Sequence, residues 1–572
     1  MEPCLLAITE FSEEEWHTLR PALEATGLIQ PEQLPGFNVP YLKFHPTLAP
    51  TLWSRLSAEE RAELLARHRL LYYQLSDYLH QEDRQHSHQA CATAQWELRN
   101  LLYAVHGALD AGEEWAVEFV DKVNWFLDCF GLNRDRAALN QRIEKAGGKE
   151  GSRSWFLTLT NLGEQLYREG RYQEAVQVFN SVLAGLGEQP SYERCLTLGR
   201  LGRCFEAQGQ AAQAGSLYRQ GLAVAEQLEA SEDVKRQMGV TLNDLASVLM
   251  QMGHYDEART ACEKSLVIKK EVGDARGEAT AQGNLGTLAM LQGNLSEAQQ
   301  HHQVALTIFQ QLNEPESQAV AWHQLGMVYE EAKQWDAAEQ AYREAARIRE
   351  GLGMLAGNNG AIATWNQLAL VTEYAGRLEA AEAWYRKAIE GGKAIKDMAN
   401  VAKMLGNLAE LLQNQPNRLS EAWQLAEDAL AIFKTIDPAV AEIWKIYSVL
   451  AEISDKQHDS TQAQEYHRLS REARAGFAGT RYKLRELGSF IAQVVAAADD
   501  AEVRQQLEPL LEELAKYVPT SLIAAIHRIL EGERDEDVLC KPLDLGSSMF
   551  INAILRGIAD PETLKPLLEG QE

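Results

Sequence analysis

With 572 residues, 45% of them hydrophobic, and a formal net charge of -27, the chain can bury an ample core, but its acidity disfavours a surface that binds phosphates. A solvated acidic exterior, or basic partners, accounts for that charge. No apolar run reaches the roughly 18 residues of a membrane span, and the seven cysteines form no CxxC pair, so a soluble cytoplasmic protein with reduced thiols is expected.

Residues 1–55 form a first unit. The opening MEPCLLAITEF carries acids where a basic leader would stand. SEEEWHTLRPALEATGLI predicts a helix with Ser12 as N-cap and Glu15 three residues on, ending at Gly27. PGFNVPYLKFHPTLAPTLW then predicts a short hairpin and a further helix start. Residues 56–150 predict a helical arm built from SAEERAELLARHRLLYYQLSDYL, WELRNLLYAVHGALDAG and EWAVEFVDKVNWFLDCFG, with WELRNLLYAVHGAL as a degenerate first repeat. The glycine-rich AGGKEGS at 146–152 predicts a hinge or loop.

Residues 151–477 repeat one unit. In its clearest copy Trp322, Leu325, Gly326 and Tyr329 fall at i, i+3, i+4 and i+7, one stripe of a helix. Ala338, Tyr342 and Ala345 make the matching stripe on a second helix. The short EAKQWD between them makes the two helices antiparallel neighbours. The leucine that opens each copy sits at 162, 201, 245, 285, 325, 368, 408 and 450, which gives eight copies at steps of 39 to 44 residues. The next residue is always Gly or Ala. Glycine inside a helix costs about 0.8–1.0 kcal/mol relative to alanine, so its use there implies close approach by another group. Gly170, Gly209, Gly253, Gly293 and Gly376 predict left-handed residues closing the first helix of their copies. GLGMLAGNNG at 351–360 and QNQPNR at 413–418 predict irregular connections. After residue 477 the period changes, and 478–572 predict shorter helices that cap the exposed end of the array.

The pattern Leu325, Gly326, Tyr329, Ala338, Tyr342, Ala345 resembles the tetratricopeptide repeat in residue kind and spacing. Its unit exceeds the usual 34 residues by about one helical turn per helix, and with the runs GNLG and GNLA it looks like the long-hairpin subclass exemplified by kinesin light chains. The resemblance implies an all-α superhelical solenoid. Leu19, Leu23, Gly27, Leu28, Ile29, Tyr41, Phe44, His45 and Pro46 resemble the end of the winged-helix domain in STAND-class signal-transduction ATPases, and residues 56–150 resemble the arm that follows it. There is no GxxxxGK[ST] in the chain: Gly147-Gly148-Lys149-Glu150 lacks the spacing and the hydroxyl. The nucleotide-binding module of that family is thus absent from this sequence.

Candidate site residues lie on the leading helices, two positions before the small residue. Asn161, Asn284, Gln324, Gln367 and Asn407 occupy that position, with Arg200, Asp244 and Val449 as exceptions. A row of amides can pair with the N–H and C=O of an extended peptide whatever its sequence. Kinesin-light-chain-like repeats use an asparagine ladder in this way, which the resemblance carries to Asn161, Asn284 and Asn407. The simpler reading is that amides are tolerated on a wet helix face. Arg200 and Arg203, with Tyr167 and Arg168, predict a positive early groove, and Glu330, Glu331, Glu373, Glu410 and Glu452 an acidic later one.

Enzyme readings find no support. His86, His88 and Cys91 on one helix do not converge on a metal, and HExxH and GxSxG are absent. Trp322, Trp335, Trp365 and Trp384 are expected in the core. The expected function is peptide or protein binding without cofactor, metal, nucleic acid or membrane, as the sensor or scaffold part of a bacterial signalling or defence system; self-association is left open. The alternatives are an adaptor that recruits an effector such as a protease, and a DNA-binding regulator, for which residues 1–55 hold few basic residues.

Overall fold

The computed structural model describes residues 2–32, 41–44, 53–130, 132–146, 148–351, 359–435, 442–476, 484 and 487–568. His45 and Pro46, and most of the 351–360 connection, lie outside them, as do the side chains of Tyr41, Phe44, His86 and His88. The chain divides into two compact units, Met1–Val328 and Tyr329–Glu572.

The first unit opens with α1 (Glu2–Thr9), α2 (Glu13–Ala25), β1 (Ile29–Glu32) and β2 (Tyr41–Phe44). Helix α1 is not signalled by periodicity. Ser12 and Glu15 form the expected reciprocal capping box on α2. The strands pair antiparallel, Ile29 opposite Phe44. The arm is α3 (Ala58–Trp96), α4 (Leu98–Ala111), α5 (Ala116–Cys129) and α6 (Asn133–Ala146). Helix α3 runs 39 residues from a second capping box, Ser57 with Glu60. Its Tyr72 and Leu79 join Leu101, Phe119, Val120 and Phe126 in one buried cluster that extends to Phe156 of the first repeat. The arm and the start of the array therefore share a core.

The leading and following helices of the array alternate: α7 (Arg153–Arg168) and α8 (Tyr172–Leu186); α9 (Tyr192–Ala207) and α10 (Ala211–Ala225); α11 (Glu232–Gln251) and α12 (Tyr255–Glu271); α13 (Ala275–Leu291) and α14 (Leu295–Gln311); and α15 (Pro315–Glu331), in which the division into units falls. The second unit holds α16 (Trp335–Gly351), α17 (Asn359–Tyr374), α18 (Leu378–Ala394), α19 (Met398–Leu412), α20 (Leu419–Phe433), α21 (Ile443–Lys456) and α22 (Ser460–Gly476). The five turn glycines have φ between 74° and 77°, and Lys333 and His458 take the same left-handed conformation at the equivalent place in their copies.

The second unit ends in α23 (Gly488–Asp499), α24 (Ala501–Leu514), α25 (Thr520–Leu530), α26 (Glu536–Cys540), α27 (Leu545–Ala559) and α28 (Lys565–Leu568). Ile491, Leu511, Ile526, Ile529, Ile551 and Ile554 form their own core. Arg471 on α22 binds Glu536 at 2.7 Å, and Glu536 accepts from Asn552 at 3.0 Å. The final hairpin of the array is thereby covered by this bundle, as a repeat with an apolar outer face requires.

Candidate functional site

The small residue after each opening leucine fixes the spacing within a hairpin. A Cβ on Gly163 would lie 2.6 Å from the ring of Phe179, and one on Gly286 would lie 2.7 Å from Nε2 of His302. Both distances are shorter than real Cβ contacts, so ring and bare backbone specify one another. Leu285, Leu325, Leu368 and Leu408 are buried by this packing. The residue two positions before the small one is turned away from that stripe and is half-buried in Asn161, Arg200, Asp244, Asn284, Gln324, Gln367 and Asn407. Val449, at the same place, is buried.

In the first unit these side chains do not share one state. The Nδ2 of Asn161 donates to Asp121 and to the carbonyl of Leu157, both at 2.9 Å, and its Oδ1 accepts from Asn124 at 3.0 Å. The arm has closed that amide. Arg200 and Arg203 both donate to Oε1 of Glu164, at 2.9 and 2.7 Å, and Arg203 also faces the Asp244 carboxylate. Arg203 also lies over the ring of Tyr167. Asn284 and Gln324, on successive leading helices, have no hydrogen-bond partner among the described residues.

In the second unit Gln367 donates to Glu330 at 3.5 Å, and Asn407 has no partner among the described residues. Glu330 and Glu373 accept from Tyr342 and Tyr385 at 2.7 and 2.9 Å. Burial pushes the Glu330, Glu373 and Glu410 carboxyls above the ordinary range, helped by Glu331, Glu410 and Glu452 respectively. Of the tryptophans, Trp365 is fully buried, whereas Trp322, Trp335 and Trp384 are half-buried, and Trp335 stacks on Tyr374. Their expected core role thus holds for Trp365 alone: Arg343 and Lys387 lie over the ring of Trp384.

A feature that sequence reasoning missed is a cavity of about 460 Å³ in the first unit, lined by Asp83 and Trp125 of the arm together with Asn243, Asp244, Arg276 and Leu312 of the array. Trp125 donates to Asp83 at 3.1 Å, and Arg276 approaches Asp83 at 3.8 Å. The arm therefore forms one wall of the hollow that the leading helices line. Its signal in the sequence is only the acid at position 244 in a row of amides. No helix among the described residues is long and apolar enough to cross a membrane.

Residues 156–227, 237–311, 277–351 and 360–435 match the tetratricopeptide-repeat family model. No curated protein matches the sequence. Among solved structures, the chain is similar to a signal transduction ATPase with numerous domains bearing a tetratricopeptide-repeat sensor from Pyrococcus horikoshii, at 13% identity and a TM-score of 0.47, covering 82% of this chain and 60% of that one. It is similar to the apo quorum sensor NprR of B. thuringiensis at 14% identity and a TM-score of 0.42, covering 66% and 99%. The apo form of RapI aligns at 17% identity and a TM-score of 0.38, covering 49% and 98%.

Proposed function

The chain carries tetratricopeptide repeats between residues 156 and 435, and from that premise we propose that its leading helices bind an extended peptide segment. The observation that carries this reading is the pair Asn284 and Gln324. Both are half-buried amides on successive leading helices and lack a hydrogen-bond partner among the described residues. A peptide backbone offers both a donor and an acceptor to each amide, and a hydrogen bond formed there contributes about 0.5–1.5 kcal/mol net of the water it replaces. Asn407 offers the same groups in the second unit. The role is binding, without catalysis.

The sensor reading is favoured over a bare scaffold by the shared cavity. A ligand between Trp125 and Asp244 touches arm and repeats together, so its binding energy can shift an equilibrium between two arm positions, provided that it binds them unequally. The unpaired buried thiols of Cys195, Cys204 and Cys262 suit a reducing compartment, in keeping with a cytoplasmic place of action.

The test is fluorescence anisotropy with a labelled mixture of extended hexapeptides of randomised sequence. Binding to the full chain is expected, and about tenfold or greater weakening in the double variant Asn284→Ala, Gln324→Ala, since two bidentate contacts are removed. Unchanged affinity in that variant overturns the reading.

A further inference from the structure

Asp244 occupies the row position of the third repeat, where five of the other copies carry an amide. The cations of the cavity around it are already matched. Lys269 binds Asp274 at 2.8 Å, Arg276 binds Glu314 at 2.7 Å, and Arg236 binds Glu232 at 2.7 Å. Asp244 has no ion pair within 4.0 Å among the described residues. Its neighbour Asn243 lines the same cavity, is 7% exposed, and has an Oδ1 without a hydrogen-bond partner. The groups left unanswered in this wall are thus a carboxylate and an amide oxygen, both of which accept. Val240 and Leu312 supply apolar surface beside them.

We infer that Asp244 recognises a cationic donor, an ammonium or guanidinium group on an aliphatic stem, carried by the chain bound in this cavity. The inference rests on the peptide-binding reading and specifies its third-repeat contact. An anion finds no free partner here, because Arg236, Arg276 and Lys269 each already face a carboxylate. A lysine or arginine side chain lays its methylenes on Val240 and Leu312 and brings its charged end to the carboxylate. The groups facing Asp244 are Arg203 and Glu206 from α9 and Lys269 from α12. Burial, with Glu206, pushes its carboxyl up to about 6 against the pull of Arg203 and Lys269. A seated cation needs the ionised form, so its affinity falls as pH drops through that value.

The experiment uses two labelled pentapeptide mixtures, acetylated and amidated, with randomised outer positions and a fixed centre, lysine in one and norleucine in the other. The full chain at pH 7.5 is expected to bind the lysine mixture at least tenfold more tightly. That preference disappears at pH 5 and in Asp244→Asn. A second variant, Val240→Lys, leaves Asp244 in place and offers it a lysine one turn away on the same helix; it too loses the preference. Equal binding of both mixtures by the unaltered chain, or a preference that survives Asp244→Asn, overturns the inference and leaves the peptide reading standing. Binding of neither mixture overturns both.

Discussion

Gly202 has no side chain because Tyr218 takes the space: a Cβ there would lie 2.5 Å from the ring Cε1. The same tyrosine donates to Glu206, twelve residues earlier, at 3.0 Å. Tyr342 with Glu330 and Tyr385 with Glu373 repeat that bond in their own copies. Where the ring position holds Phe179, Cys262 or His302, which lack a phenol, the partner position holds Tyr167, Met250 or Met290. A carboxylate thus stands twelve residues before each of these three phenols and before none of the three residues that lack one.

Gly202→Ala is expected to destabilise the chain by about 1–3 kcal/mol, the usual range for overpacking a tight core. Urea unfolding followed by circular dichroism checks it. A change below about 0.5 kcal/mol would mean that the ring moves aside freely and that the glycine has another cause.

Tyr385→Phe removes the donor that holds down the Glu373 carboxyl, which burial and Glu410 push up. The ionised carboxylate is then left half-buried without that bond, at a cost of about 1–3 kcal/mol. Protonation relieves the cost. The loss should therefore be larger at pH 7.5 than at pH 4.5, as read from unfolding midpoints at the two values; equal losses would contradict the bond.

The ion pair of Lys269 and Asp274 sits under the third hairpin, with Lys269 only 3% exposed. Burial pushes the Asp274 carboxyl up, but Lys269 and the Gly277 N–H together hold it below the ordinary range. Its folded-state pKa is depressed, so its stabilising contribution is present above the unfolded value and is lost only as pH falls below the usual carboxylate range. Asp274→Ala removes the close counter-ion of this buried ammonium and is expected to cost about 3–5 kcal/mol at pH 7, as read from urea unfolding midpoints; a change below about 0.5 kcal/mol would contradict the pair.

Asp244 shows the opposite sign. Its carboxyl is raised to about 6 from 3.8, chiefly by burial, so its ionisation opposes folding. The penalty is absent below the unfolded pKa and complete once pH has risen through the folded one. Asp244→Asn is expected to stabilise the empty chain by about 1–3 kcal/mol at pH 7.5 and to change little at pH 4. Thermal melts at both values decide it; destabilisation at pH 7.5 would make the aspartate a structural group.

The array was legible in the sequence because its determinants are local and repeated. Leu285 with Gly286 marks a leading helix, Gly293 its turn, and Ala298 with His302 the following helix, and each lies where the pattern puts it. The capping box of Ser12 and Glu15 was equally local. The relation of arm to groove was not legible. That Asn124 and Asp121 close the amide of Asn161, and that Asp83 and Trp125 wall the cavity beside Asp244, are contacts between residues 37 to 42 positions apart or more. No period or spacing encodes them.

Free amides of the leading helices that hold a peptide by its backbone need that backbone's N–H donors as well as its carbonyls. The most direct measurement compares the randomised hexapeptide mixture with the same mixture methylated on alternate backbone nitrogens. Methylation removes donors and leaves the side chains in place. At least tenfold weaker binding of the methylated mixture to the full chain is predicted; equal affinity would contradict the claim.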